Sequence, residues 1–253
     1  MRHAFLDEHS RRDSLLHRRD PRAKILAFVL LILCIALTPA YRFRTFGMYA
    51  FFLAGLVFAS GIPPLYAVRK SLTLVPFVLF AAFFLPFSRR GIVALSIPGG
   101  LCVTYTGLLT FWGVVVKGYL SIVSMILLVN TTEFPDLLKG FEQLKIPRLF
   151  ITIISFMYRY VFVIEDELEK MTAAKRSRTI RPGLRLETRT LSNMVGMLFI
   201  RSYERAEAVY AAMCCRGYSG RIHTLHDFSL TKVDRYFLGF FLVIVVTIAH
   251  SGA

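Results

Sequence analysis

Apolar residues are concentrated in five runs, four of them before residue 131 and one near the end of the chain. A membrane-spanning helix needs about 20 mostly apolar residues, with a range of roughly 17 to 25. Each run is close to that length and predicts a transmembrane helix. The five predicted spans are Lys24 to Ala40, Phe46 to Ile62, Ser71 to Phe87, Gly107 to Val129 and Tyr236 to His250. A weaker apolar stretch, Gly91 to Gly100, is predicted to be a loop because Pro98-Gly99-Gly100 breaks a helix.

A different pattern fills the segment between the fourth and fifth spans. Pro135 to Leu144 predicts a short amphipathic helix that begins with a proline. From Pro147 to about Arg178, and again from Leu191 to Met213, apolar residues recur every three or four positions, which is the period of an α-helix. The first of these helices would be roughly 48 Å long, too long for the core of a small domain. Arg181-Pro182-Gly183 separates the two, and Gly217 is expected just after the second, in the left-handed conformation.

The distribution of acidic residues decides the class of protein. Of the 16 carboxylates, four lie in the first 20 residues, twelve lie between Glu133 and Asp234, and none lies between Pro21 and Asn130. A water-soluble domain needs a surface of mixed charge, so a stretch of 110 residues without an acid argues for lipid. The expected fold is an all-α integral membrane protein with about five transmembrane helices and two long cytoplasmic helices.

Basic residues set the expected orientation. The net charge is +15, with seven Lys or Arg residues in the first 24 positions and sixteen between Thr131 and Asp234. Four predicted spans separate these segments, so both lie on one side, which the positive-inside rule makes cytoplasmic. We expect a basic leader over 1–23, a four-span bundle over 24–130, a cytoplasmic segment over 131–234 and a final transmembrane helix over 235–253. Neither a cleavable signal peptide nor binding to nucleic acid is expected.

Candidate chemistry is sparse. Lys117 is a lone charge within a span, and it either contacts an ion or substrate or hydrogen-bonds within the bundle, which we favour. His223 and His226 have a spacing that could bind a divalent ion, but no further Cys or His completes the site, which favours an exposed loop. The acidic run from Glu165 to Glu169 is assigned to a solvated helix face. We expect no catalytic residue, no metal site and no cofactor.

Both long helices end beside an arginine, in Ser177-Arg178 and in Cys215-Arg216-Gly217. Cations at a helix C-terminus interact favourably with the helix dipole, by some 0.3 to 1 kcal/mol each. A guanidinium at a helix end with small neighbours can also enter a groove and bind a carboxylate or carbonyl groups there. Such ends are suited to transmit movement from a cytoplasmic partner into a membrane bundle.

With these residues identified, the chain resembles the transmembrane T component of energy-coupling-factor (ECF) transporters, most closely the CbiQ subgroup. The resemblance runs from DPRAKILAFVLLILCIALTP (Asp20 to Pro39) to RSYERAEAVYAAMCCRGYSGR (Arg201 to Arg221). In that family two coupling helices each end in an Ala-Arg-Gly motif that docks into an ATPase subunit. Both arginines are kept here, although neither triplet matches the motif in full. The resemblance assigns ATPase coupling to Ser177, Arg178, Thr179, Cys215, Arg216 and Gly217.

The resemblance implies a non-enzymatic, multi-pass subunit of the cell membrane. Its partners would be two cytoplasmic ATP-binding subunits and a separate membrane subunit that binds the substrate. Cobalt uptake for cobalamin synthesis is expected, with nickel or a vitamin as the alternative substrate. A membrane-embedded lipid-group transferase is the rival enzyme class, but it needs metal-binding carboxylates or a base near the bilayer, and the membrane half of this sequence offers none. A channel or a scaffold is a further rival.

Overall fold

A computed structural model describes residues 19–83, 85, 93–97, 101–178, 183–220 and 232–250. The elements are, in chain order, α1 (Pro21–Leu37), α2 (Phe43–Ser60), α3 (Pro64–Ala82), β1 (Val93–Ile97), β2 (Leu101–Thr104), α4 (Tyr105–Thr131), α5 (Phe134–Gln143), α6 (Arg148–Arg178), α7 (Leu184–Cys215) and α8 (Lys232–His250). The short amphipathic helix and the two long helices predicted from the sequence are confirmed as α5, α6 and α7.

The chain divides into two compact units. One consists of residues 1–145 and 228–253, and we call it the membrane unit; the other consists of residues 146–227, and we call it the two-helix unit. The amphipathic helix α5 packs against α1 in the membrane unit, although the sequence placed it in the segment that begins at residue 131. The side of the membrane on which each segment lies stays a prediction.

Among the residues of the membrane unit that the structure describes, four helices are long and apolar enough to cross a bilayer. They are α2, α3, α4 and α8. Helix α1 has 17 residues, which corresponds to a rise of about 26 Å, so it is slightly short of a typical span. The predicted class, an all-α membrane protein, is confirmed.

Helix α1 occupies the centre of the membrane unit and packs against α4, α5 and α8. It begins at Pro21, after Asp20 accepts a hydrogen bond from the Arg22 backbone N–H at 2.9 Å, which is an N-cap interaction. Its side chains Phe28, Leu31 and Ile35 are fully buried. One face of α1 is therefore enclosed by neighbouring helices, while another face exposes apolar residues such as Leu33 and Leu37, at 55% and 74%.

The other membrane helices have a second apolar surface that faces outward. Phe51 on α2 is 83% exposed, and Phe77 and Phe80 on α3 are about as exposed, at 75% and 76%. Residues on the opposite face of α2, such as Tyr49 and Leu53, are buried in the core. A helix that is apolar on every side is typical of a lipid environment. The outward phenylalanines therefore mark surfaces suited to contact acyl chains.

Two sequence predictions were wrong, one about where a helix starts and one about a segment assigned to a loop. Helix α3 begins at Pro64, seven positions before the predicted Ser71, because a proline at the first helical position is favourable and the helix then includes Arg69 and Lys70. The predicted loop over Gly91 to Gly100 contains strand β1, which pairs antiparallel with β2 so that Ile97 is opposite Leu101. Pro-Gly-Gly is a turn sequence, so it favours a hairpin as well as a helix break.

Lys117 hydrogen-bonds within the bundle. Its Nζ atom donates to the Ala36 carbonyl oxygen at 2.9 Å. Ala36 lies in the last turn of α1, where carbonyl groups have no partner within their own helix. The interaction therefore satisfies a backbone acceptor at a helix end, and it supports the second of the two interpretations given for this lysine.

A close approach between α4 and the connection from α1 to α2 gives a test of the fold. A Cβ atom added to Gly113 of α4 would lie 2.5 Å from the Ala40 Cβ and 3.1 Å from its Cα, so the backbone would have to shift. We expect Gly113→Ala to lower the free energy of unfolding by about 1–3 kcal/mol. Thermal unfolding of the detergent-solubilised protein measures the change.

Gly47→Ala on α2 is the matched control, since nothing lies within 4 Å of its added Cβ. Alanine is favoured over glycine in a helix, so this variant should be as stable as the parent or slightly more stable. Equal destabilisation by the two substitutions would contradict the helix packing described here.

Candidate coupling site

Helix α6 is a long helix whose side chains are all at least partly exposed. It has 31 residues, a length of about 46 Å, and none of its residues is buried. Ile153, Met157 and Leu168, members of the predicted apolar stripe, are 44–59% exposed. An apolar stripe without a core of its own needs a partner protein or lipid to cover it.

The C-terminus of α7 forms a well-defined cap. Gly217 has φ of +80°, its N–H donates to the Cys214 carbonyl at 3.0 Å, and the Tyr218 N–H donates to the Met213 carbonyl at 3.0 Å. These two bonds form a Schellman motif, which satisfies carbonyl groups that the helix itself leaves unpaired. The predicted left-handed Gly217 is thereby confirmed. The motif fixes the position of Arg216, which is exposed immediately before the glycine.

Two ion pairs join α6 to α7, one beside their connection and one near the middle of α7. Lys175 Nζ lies 3.3 Å from Glu187 Oε1 beside the connection, and Arg201 pairs with Glu167 near the middle. As the residue number falls along α6 the partner number rises along α7, so the helices run antiparallel. Exposed ion pairs of this kind stabilise by about 0–1 kcal/mol each. These ion pairs therefore add little to the energy that holds the two helices together.

An apolar groove of about 1030 Å³ lies between α6 and α7, on the side away from their connection. Its lining comes from both helices and from Tyr218, which follows the Schellman motif. The α6 residues are Ile153, Phe156, Met157, Tyr160, Val161, Val163, Ile164 and Glu167, and the α7 residues are Leu198, Arg201, Ser202, Glu204, Arg205, Ala206, Val209, Tyr210 and Met213.

The structure places the predicted coupling residues in two separate groups. Ser177 and Arg178 are exposed at the end of α6, where the Ser177 hydroxyl donates to the Ala173 carbonyl at 3.1 Å. Cys215, Arg216 and Gly217 are exposed at the end of α7. The antiparallel arrangement puts these groups at opposite ends of α7, separated by roughly 42 Å along its axis from Glu187 to Cys215. Thr179 lies outside the described residues.

Comparison with known proteins identifies the family. A profile of the CbiQ family, described as cobalt transport protein, matches residues 12–226. The chain belongs to this family.

Named relatives support the same assignment. The energy-coupling factor transporter transmembrane protein EcfT of Streptococcus thermophilus is 29% identical over 223 residues, covering 82% of each chain. EcfT of Bacillus subtilis is 25% identical over 221 residues, again 82% of each chain. The cobalt transport protein CbiQ of Rhodobacter capsulatus is 27% identical over 125 residues, 49% of this chain and 50% of its own. This CbiQ-family chain is thus a membrane component of the ECF transporter type.

Metal-ligating side chains do not converge within the part of the chain that the structure describes. No three His, Cys, Asp or Glu residues there form a group that could hold a metal ion. His223 and His226, the pair considered from the sequence, lie outside the described residues. The acidic run Glu165 to Glu169 lies on α6, where Glu167 pairs with Arg201.

Sequence reasoning missed a buried polar cluster at the N-terminal end of α1. Lys24 is only 1% exposed, and Asp20 and Asp234 are 6% and 5% exposed. Lys24 is the first residue of a predicted span, a position where lysine is common and gives no sign of burial. Asp234 is 210 positions away in sequence, so no local pattern connects the two residues. The only available signal was the pair of acids just outside the first and last spans.

Replacement by alanine should have opposite effects on hydrogen exchange at Gly217, in the Schellman motif, and at Gly196, in the middle of α7. Nothing lies within 4 Å of a Cβ added at Gly217 or Gly196, so only backbone conformation distinguishes them. Gly217→Ala places an L-residue in the left-handed region, at a cost of about 1–2 kcal/mol, and should increase hydrogen exchange at residues 213–218 roughly tenfold.

Gly196→Ala should instead slow exchange in the middle of α7, since alanine stabilises a helix interior by about 1 kcal/mol. Hydrogen exchange followed by mass spectrometry measures both variants. Slower exchange in both would show that the α7 end does not depend on left-handed geometry.

Proposed function

We propose that this chain is the coupling subunit of an ATP-driven ECF uptake transporter, with cobalt as the transported ion. In this proposal two cytoplasmic ATP-binding subunits supply the energy and a separate membrane subunit binds the substrate. The chain itself catalyses no reaction, and its N-terminus and two-helix unit lie in the cytoplasm. Cobalt is proposed because the matching family is described as a cobalt transport protein.

The main support is the position of the two arginines. Arg178 and Arg216 are both exposed, each at the C-terminus of a long helix, and they lie at opposite ends of the antiparallel pair. A single binding site could not accommodate both, whereas two ATPase subunits could each take one. Guanidinium groups suit such a contact because they can form two parallel hydrogen bonds with a carboxylate.

Local geometry favours transmission through these ends. The Schellman motif fixes the backbone of Arg216 at the C-terminus of α7, so a displacement of the arginine displaces the helix. The contacts between α6 and α7 include two exposed ion pairs, each of small energy, so a change in their crossing angle costs little. ATP-driven approach of two partners could therefore open or close the apolar groove between these helices.

That groove is the proposed contact for the substrate-binding membrane subunit. It exposes apolar side chains such as Met157 and Tyr210, which are 59% and 63% exposed. An exposed apolar surface of this extent is typical of a protein or membrane contact. A change in groove width would then alter the contact with the subunit that binds the cobalt ion.

Substitution of the two arginines tests the proposal. Arg216→Ala should reduce recovery of the ATP-binding subunits with the purified chain, or uncouple hydrolysis from uptake, by at least tenfold. Loss of a charge-assisted hydrogen bond, about 1.5–3 kcal/mol, corresponds to that magnitude. Arg178→Ala should have a similar or smaller effect, and the double variant should lose coupled cobalt uptake.

Arg159→Ala is the matched control, because Arg159 is an exposed arginine within α6, roughly 28 Å from Arg178 along the helix axis. Its assembly, hydrolysis and uptake should stay within twofold of the parent. A double variant Arg178→Ala/Arg216→Ala that assembles, hydrolyses ATP and takes up cobalt normally would refute the assignment of these residues.

The proposed orientation makes a separate prediction. Cys214 and Cys215 are exposed at the end of α7, so a membrane-impermeant maleimide should modify them in inside-out vesicles and not in right-side-out vesicles. Cys214→Ser/Cys215→Ser should abolish this labelling and identify its site. Labelling confined to right-side-out vesicles would place the two-helix unit outside the cell.

A further inference from the structure

A buried polar cluster lies where α1 begins, in the interior of the membrane unit. Lys24 Nζ donates to the Thr131 carbonyl at 2.9 Å and to Thr132 Oγ1 at 3.3 Å, at the end of α4. The Asp20 N–H donates to Asp234 Oδ1 at 3.4 Å, at the start of α8. We call Asp20, Lys24, Thr131, Thr132 and Asp234 the Lys24 cluster.

Stability alone is a poor explanation for this cluster. Burial of an ammonium and two carboxylates has a large desolvation cost, and apolar side chains of similar size are often as stable in such places. Asp20 Oδ2 is buried and has no hydrogen-bond partner among the described residues, which adds a further cost. The cluster does, however, fix α1, α4 and α8 in one arrangement, since hydrogen bonds have a preferred geometry.

The cluster lies beside the end of α5 and the start of α8, the two helices of the membrane unit between which the two-helix unit is inserted along the chain. The first connection leaves α5 at Gln143 and reaches α6 at Arg148. Gln143 accepts a hydrogen bond from the Arg22 Nε, so the last residue of α5 is held by the first turn of α1. After the two-helix unit the chain continues into α8, which begins at Lys232 and has Asp234 in its first turn.

Asp234 is held by the same end of α1. Besides its bond with the Asp20 N–H, its Oδ1 lies 4.0 Å from the Arg19 guanidinium. Residues 19–24 therefore hold both the end of α5 and the start of α8.

We propose that Lys24 is a positioning residue for transport, which fixes the N-terminal end of α1 to the end of α4. That end of α1 in turn holds the end of α5 through Arg22 and the start of α8 through Asp20, so that movement of the two-helix unit displaces the bundle. This inference rests on the proposed coupling function. Without Lys24, the end of α5 and the start of α8 would move independently of the bundle core, and the energy of ATP hydrolysis would be dissipated as local motion. Lys24 touches neither substrate nor nucleotide in this scheme.

The test uses the complete transporter in liposomes and measures cobalt uptake per ATP hydrolysed. Lys24→Met should retain assembly and hydrolysis but lower this ratio at least tenfold, and Lys24→Arg, which keeps the charge, should recover part of it. Lys117→Met is the matched control, since Lys117 also donates to a backbone carbonyl inside the bundle but lies away from both connections. Its ratio should stay within twofold of the parent.

A second variant covers the case in which Lys24→Met fails to fold. Lys24→Met/Asp234→Asn removes one positive and one negative charge together, which avoids leaving an additional buried carboxylate without a cation. It should assemble and still show the tenfold lower ratio. A parental ratio in the double variant, or a ratio in Lys24→Met that is unchanged per assembled complex, would overturn the inference.

Hydrogen exchange separates this inference from the proposed function. Lys24→Met should accelerate exchange at residues 20–25, 143–146 and 232–236, whereas Lys117→Met should not. If the parent complex itself fails to couple hydrolysis to uptake, the proposed function fails while exchange still reports on the anchor. If coupling is normal in the parent and exchange at both connections is unchanged in Lys24→Met, the anchor is wrong.

Discussion

Hydrocarbon offers no hydrogen bonds, so a chain that crosses it must pair its own backbone groups, and the architecture of the membrane unit depends on that constraint. Helices α2, α3, α4 and α8 satisfy it along their length, and their outward faces can remain apolar because no water has to be accommodated. Where α1 ends, the constraint is met differently, since Lys117 supplies a donor for the Ala36 carbonyl. Lys24 does the same at the end of α4, where it donates to the Thr131 carbonyl.

The two-helix unit is shaped by a different requirement. Its helices are amphipathic and almost entirely exposed, and their contacts with each other include two surface ion pairs beside an apolar groove. In the proposed function, arginines at opposite ends of this unit give two partners separate points of attachment, and the N-terminal end of α1 holds the end of α5 and the start of α8 to the bundle core. The proposal thus assigns movement and anchorage to different parts of one chain.

Local sequence patterns were sufficient for most helices and insufficient for their contacts. The period of apolar residues located α6 and α7, and Gly217 marked the end of α7, because helix period and left-handed geometry are properties of a few neighbouring residues. The start of α3 was missed because Pro64 favours the first turn of a helix although the apolar run begins later. The Lys24 cluster could not be foreseen, since it joins residues 107 and more positions apart whose proximity only packing creates.

A photoreactive amino acid placed at position 159, 178 or 216 of the assembled transporter tests the central claim most directly. Positions 178 and 216 should each cross-link to an ATP-binding subunit, and a variant labelled at both should join two copies of that subunit to one chain. Position 159, within α6 and away from both helix ends, should give no such product. Cross-links from 178 and 216 to lipid or to the substrate-binding subunit, with none to an ATP-binding subunit, would contradict the account.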